Sequence, residues 1–120
     1  MILLNFAQKL HDIQFEQFTA LTSMKVTEQI MLPLETSDDD LEKLLDALFT
    51  RVKLTDEELK KEQLVINLPA QTIKAIKVIS YLYKRSGCFP LVLRTSTSAF
   101  GLSIGPAVVE VIDLQKMFQA

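Results

Sequence analysis

The chain has 120 residues, 48% of them hydrophobic, with three glycines and four prolines; this suits one folded domain, residues 1–120, and excludes long low-complexity segments. A formal charge of −2 excludes the strongly basic groove that long nucleic acids require, and one cysteine with one histidine excludes an internal disulfide and a His/Cys zinc centre. No apolar stretch reaches the roughly 18 residues of a membrane span, and the Met1-Ile2-Leu3-Leu4 run is too short for a secretory signal, so a cytoplasmic location with no membrane partner is expected.

Residues 1–6, Met-Ile-Leu-Leu-Asn-Phe, form a short apolar run that predicts a strand buried on both faces. From Asp12 to about Ser23, Phe15, Phe18 and Leu21 recur at helical spacing, with Asp12 as the cap. Val26 to Leu34 predicts a second strand, whose Thr27, Glu28, Gln29 and Pro33 suit a sheet edge. Leu41, Leu44, Leu45, Leu48, Phe49 and Val52 then make one apolar stripe of period 3.6. Ser37 is the expected N-cap, followed by Asp38, Asp39 and Asp40 where the helix dipole favours negative charge. Capping uses each of these acids, so the run is not read as a metal site.

Thr55-Asp56-Glu57-Glu58 has capping-box spacing, and Leu54 with Leu59 fits a hydrophobic staple, so a short helix begins at Thr55. Leu64-Val65-Ile66-Asn67 predicts a third strand. Ala70 to Ser86 predicts a helix with Ile73, Ile76, Ile79 and Tyr83 facing inward and Lys74, Lys77, Tyr81 and Lys84 on the solvated side, ended by Gly87. Cys88, ahead of Phe89-Pro90, is expected to be buried as a small hydrophobe. Leu91 to Arg94 and Val108 to Ile112 predict the last two strands; residues 95–107 carry no helical period, so the fifth strand is expected to return antiparallel.

Repeated strand–helix–strand units predict an α/β fold with a mostly parallel sheet flanked by helices. With strand order 2-1-3-4-5, the ligand crevice lies beyond the carboxyl ends of the first and third strands, where the order reverses. Those strands end alike, Leu4-Asn5-Phe6 and Ile66-Asn67-Leu68, so two side-chain amides would face one crevice and match nucleobase edges or ribose hydroxyls. Pro69 favours a helix start, leaving the amides of Ala70, Gln71 and Thr72 open to an anion. Arg94, Thr95 and Ser96 close the fourth strand at the same edge, where Arg contacts phosphate or stacks on a base. His11 has no catalytic partner near it in sequence, and no cofactor or metal is expected.

These segments together resemble a known family. The opening Met1-Ile2-Leu3-Leu4-Asn5-Phe6, Asn67-Leu68-Pro69, the helix end Arg85-Ser86-Gly87-Cys88-Phe89-Pro90, Arg94 and the closing Glu110-Val111-Ile112-Asp113-Leu114 are similar to the small Csx-type accessory proteins of type III CRISPR systems. The resemblance spans nearly the whole chain, and departs from the family where Cys88 replaces the usual aromatic beside the Gly-x-Phe-Pro turn. It implies a Rossmann-like, CARF-like domain that works as a homodimer. The implied ligand is a cyclic oligoadenylate, above all cyclic tetra-adenylate, the messenger that activates antiviral effectors. It also implies that Asn5, Phe6, Asn67, Leu68, Pro69 and Arg94 face the ligand. Members of this group either cleave the ring or hold it intact. No Lys, His or Tyr stands at the predicted strand ends to assist phosphoryl transfer, which favours holding over cleaving. A protein-interaction domain with no small ligand would account for the fold but not for the paired Asn turns.

Overall fold

The computed structural model describes residues 1–34, 40–61, 63–96 and 107–119. In chain order the elements are β1 (Ile2–Asn5), α1 (Asp12–Thr22), β2 (Glu28–Met31), α2 (Leu41–Arg51), α3 (Asp56–Lys61), β3 (Leu64–Asn67), α4 (Thr72–Ser86), β4 (Leu91–Ser96), β5 (Ala107–Asp113) and α5 (Leu114–Gln119). The five strands form one sheet in the order β2-β1-β3-β4-β5, parallel except for the antiparallel β4–β5 pair. The expected order, the edge position of β2 and the antiparallel return are all present. No helix among the described residues is long and apolar enough to cross a membrane.

Alternation along the central strands divides the core into two layers. Ile2, Leu4, Leu64 and Ile66 point to one side and pack with Leu45, Phe49, Leu59, Val78 and Leu82 of α2, α3 and α4. Leu3, Val65, Leu91 and Leu93 point to the other and pack with Phe18 of α1 and Val108 of β5. Both faces of β1 and β3 are therefore covered, which is why these strands are apolar up to their closing Asn. Gln17 of α1 accepts from the Val108 N–H at 2.8 Å, tying that helix to the start of β5.

Several local features differ from the sequence expectation. Asp40 is the N-cap of α2, its carboxylate accepting from the Lys43 N–H at 3.1 Å; the expected cap Ser37, with Asp38 and Asp39, lies outside the described residues, as does most of the 95–107 connection. His11, not Asp12, is the N-cap of α1, and the Gln14 side chain accepts from its backbone N–H at 2.7 Å. The closing helix α5 was not expected; its signal is Asp113, whose carboxylate accepts from the Lys116 N–H at 3.0 Å. The cap at Thr55 is present, accepting from the Glu58 N–H at 3.2 Å, and Gly87 takes the left-handed conformation at φ 77°.

The orientation of α4 corrects the sequence reading. Ile73 and Ile76 are 59% and 55% exposed, and Tyr83 is exposed beside Phe89, on which it stacks at 4.4 Å. The inward residues are Val78, Tyr81 and Leu82. Two apolar stripes run along this helix, and periodicity cannot say which one meets the sheet. Polar contacts distinguish them. The Tyr81 hydroxyl donates to Asp46 of α2 at 2.5 Å, and Arg85 donates to the Tyr81 oxygen at 3.1 Å, the Leu54 carbonyl at 3.1 Å and Asp56 at 2.6 Å. The guanidinium also lies 5.2 Å from the Phe49 ring centre, and Phe49 meets Tyr81 edge-on at 5.3 Å. A lysine could not make this fork of contacts. Cys88 is likewise corrected: it is exposed, because the Gly87 turn leads its backbone back to Ser86, whose Oγ accepts from the Cys88 N–H at 3.2 Å.

Leu82→Ala should therefore cost about 2–5 kcal/mol, the range for a truncated core Leu, whereas Ile73→Ala should stay within about 0.5 kcal/mol in the dissociated monomer; urea unfolding of both variants at protein concentrations where the chain is monomeric checks the assignment of the two faces. Burial first, then the bond to Asp46, pushes the Tyr81 hydroxyl up to about 12. Since the unfolded chain gives up that proton near 10.0, the contribution is complete below that pH and is lost as pH climbs toward 12. Tyr81→Phe should flatten that part of the stability–pH curve, measured by denaturant midpoints.

Candidate functional site

The parallel strands β1, β3 and β4 end at one edge of the sheet. Asn5 pairs in register with Asn67, and Asn67 with Leu93, so Arg94, Thr95 and Ser96 carry β4 three residues past the end of β3. The strand order reverses between β1 and β3, and both Asn residues stand at that point.

The two amides do not face open space side by side. Asn5 is 0% exposed, and its side chain is used on every position. Nδ2 donates to the Gln8 carbonyl and to Gln29 Oε1, both at 2.8 Å. Oδ1 accepts from the Ala7 N–H at 2.8 Å and from Asn67 Nδ2 at 3.2 Å. An amide has two donor protons and two acceptor lone pairs, so Asn5 has no capacity left for a ligand. Asn67 is 7% exposed and makes one side-chain bond, to Asn5; its Oδ1 and second amide proton take no further bond among the described residues. Asn5 holds the orientation of Asn67, and Asn67 carries what can be offered outward.

The other expected residues fall into three groups. Phe6 is buried in the layer beneath α2 and α4, and its N–H donates to the Asn67 carbonyl at 2.9 Å; it is a core residue. Leu68 and Pro69 are half-buried and Ala70 is exposed, forming the lead into α4, which starts at Thr72 behind the N-cap Gln71 and not at Ala70, so the open first-turn amides begin at Thr72. Thr95 and Ser96 are half-buried at the end of β4. Arg94 is exposed, and its Nε donates to Glu110 of β5 at 2.7 Å, across the register pair Arg94–Glu110. An ion pair this open contributes little stability and leaves 58% of the arginine side chain accessible.

One partner at this edge was missed from sequence. Gln29 was read as a sign of an exposed edge strand, but its Oε1 accepts from both Asn5 and the Leu10 N–H, the latter at 2.9 Å, and its Nε2 donates to the Leu10 carbonyl at 3.0 Å. A single Gln in a short strand of mixed polarity offers no periodic signal. Only the register, which sets Gln29 against Leu3, reveals that it points toward the α1 layer with Asn5.

Clefts also lie elsewhere among the described residues. One of about 390 Å³ between α2 and α4 has an apolar floor of Leu41, Leu45 and Ile76, with Lys77 and Lys84 on one rim and Asp40 and Glu42 on the other. Lys84 bridges to Glu42 at 2.9 Å, which raises its pKa. A second, of about 400 Å³, sits at the opposite sheet edge among Gln63, Leu64, Leu91 and Asp113. No cluster of His, Cys, Asp and Glu that could hold a metal occurs among the described residues.

Comparison with models of known families, with curated proteins and with solved structures returned no match. Asn5→Ala should destabilise the fold by about 1–3 kcal/mol for each buried partner left unbonded, and by clearly more than Asn67→Ala, which strands one acceptor already bonded to Ala7; thermal and urea unfolding distinguish the two.

Proposed function

We propose that the chain is a Rossmann-like, CARF-like binding module that holds cyclic tetra-adenylate without cutting it, and so damps the antiviral effectors that this messenger activates in the cytoplasm. The observation that carries the reading is the oriented Asn67 amide at the reversal of strand order, beside the opening turn of α4 and the overhanging end of β4. This is where open α/β sheets take ligands. Asn67 offers an acceptor and a donor to a base edge or ribose hydroxyl. The opening turn of α4, behind its N-cap Gln71, offers the backbone N–H groups of Thr72 and Ile73 to phosphate, and Thr95, Ser96 and Arg94 add hydroxyls and a cation. The resemblance to the Csx-type proteins supplies the identity of the ligand.

Holding rather than cutting is favoured by the same chemistry. Cleavage of the ring needs a ribose hydroxyl aligned on the phosphate and donors where charge develops. The groups at this edge are amides and hydroxyls suited to fixed recognition, and the phenol with the raised pKa, Tyr81, is committed to Asp46 and Arg85 between the helices. A ring of two-fold symmetry calls for the crevice twice, hence for a homodimer. The exposed stripe of Ile73, Ile76 and Tyr83 on α4 is the surface we assign to the second copy, since it begins at the turn that borders Asn67.

Titration calorimetry with cyclic tetra-adenylate should give binding at micromolar protein, and absence of binding to any cyclic oligoadenylate would remove the reading. Asn67→Ala and Arg94→Ala should each weaken binding roughly ten- to hundredfold, with Lys77→Ala near wild type. Ile76→Glu should shift sedimentation from dimer to monomer and weaken binding with it. With protein in excess, the ligand should be recovered intact after denaturation; a time-dependent rise of linear di-adenylate would identify a ring-cutting enzyme instead.

A further inference from the structure

We propose that Gln29 is a positioning residue of this crevice: one side chain on the edge strand clamps the β1–α1 loop at Leu10 and, together with that loop's bonds to Asn5, holds the amide that orients Asn67. The inference rests on the binding reading above for its ligand, but its geometry is independent of it. Gln29 Nε2 donates to the Leu10 carbonyl at 3.0 Å, which fixes the flip of the Gln29 amide and turns Oε1 inward. Oε1 then accepts from Leu10 N–H at 2.9 Å and from Asn5 Nδ2 at 2.8 Å. Gln29, the Gln8 carbonyl and the Ala7 N–H together fix the Asn5 amide, so that its Oδ1 faces Asn67 and accepts from Asn67 Nδ2 at 3.2 Å. Each amide in the series can take only one of its two orientations without setting donor against donor or acceptor against acceptor. The Asn67 acceptor, which takes no bond among the described residues, is thus set by the Asn5 amide that Gln29 holds together with Ala7 and Gln8. The same bonds hold the rim loop, since Asn5 also grips Ala7 and Gln8.

This relay has a chemical signature that a merely space-filling role lacks. In Gln29→Glu the carboxylate can still accept from Leu10 N–H and Asn5, but its second oxygen meets the Leu10 carbonyl with no proton between them. Protonation restores the missing donor. Partial burial and the facing carbonyl both raise such a carboxyl above its ordinary value of about 4.3, so the variant should regain the wild-type arrangement in mild acid. The titratable groups on the adjoining segments are Lys9, His11, Asp12, Lys25 and Glu28. Wild type carries all of them, so their titration appears equally in the control.

The test measures the full chain as wild type, Gln29→Glu and Gln29→Leu, at about pH 8 and about pH 5. Hydrogen exchange over residues 7–10, corrected for intrinsic rates, is read without ligand, and calorimetric affinity with cyclic tetra-adenylate. At the higher pH, Gln29→Glu should lose loop protection and bind about tenfold more weakly than wild type. At the lower pH both should return to near wild type, while Gln29→Leu stays impaired at both. If Gln29→Leu does not fold, the contrast within Gln29→Glu decides alone. Wild-type protection of the loop in Gln29→Glu at the higher pH, or no recovery in acid, overturns the relay. The expected loop behaviour in a wild-type chain that binds no ring would leave the relay standing and remove the ligand.

Discussion

The side-chain amide of Asn5 is wholly withdrawn from water and bonded at all four of its positions, and the carboxyl edge of the sheet is arranged around that requirement. A buried amide without partners costs far more than a bonded one contributes. Its four bonds reach the turn after β1, the edge strand β2 and the end of β3, so one desolvated group coordinates three chain segments. The low polarity of the site strengthens each bond and makes the loss of any one costly. A ligand that sought Asn5 would have to break this set; one that meets Asn67 meets a group already aimed.

Strand ends were legible because they rest on short-range signals. Short apolar runs closed by Asn, a single stripe on α2, the Thr55 cap and Gly87 each carry their meaning within one turn or one strand. What was not legible depends on which partner a residue meets. The sequence of α4 holds two apolar stripes, and the choice between them is made by Asp46 on α2 and by Asp56 and the Leu54 carbonyl around α3, which capture Tyr81 and Arg85. Similarly, the paired Asn ends were visible as a repeat, but that one would saturate the other's acceptor followed only from their register. Gln29 was hidden because its value lies in two amide faces turned toward Leu10, and a polar residue on an edge strand is ordinarily explained by solvent.

The stripe left outward on α4 bears on the proposed function. Ile73, Ile76 and Tyr83 remain 59%, 55% and 45% exposed, although Val78 and Leu82 already satisfy the helix's packing against the sheet. Isolated exposed apolar residues need no explanation, but several on one helix face mark a surface that another body covers. The helix starts where the chain leaves β3, so a second copy seated on this stripe would bring the openings of two crevices toward each other. Dimerisation and ligand geometry would then be coupled through a single element, and a symmetric ring would stabilise the pair by binding across it.

Rigid recognition and catalysis make opposite demands on such an edge. The Gln29–Asn5–Asn67 series has one satisfied arrangement, and shifting any member leaves a buried polar group unbonded. An edge held in this way loses little conformational freedom when a ligand arrives, so more of the contact energy appears as affinity. Chemistry on the ring would require interactions that strengthen only as the attacking oxygen approaches phosphorus. Amides already fixed to one another respond little along that path, whereas they suit a ligand whose shape does not change. On the proposed reading this arrangement of bonds suits tight, unproductive binding, and Arg94, a cation at this edge, is paired with Glu110 at 2.7 Å rather than left to follow a developing charge.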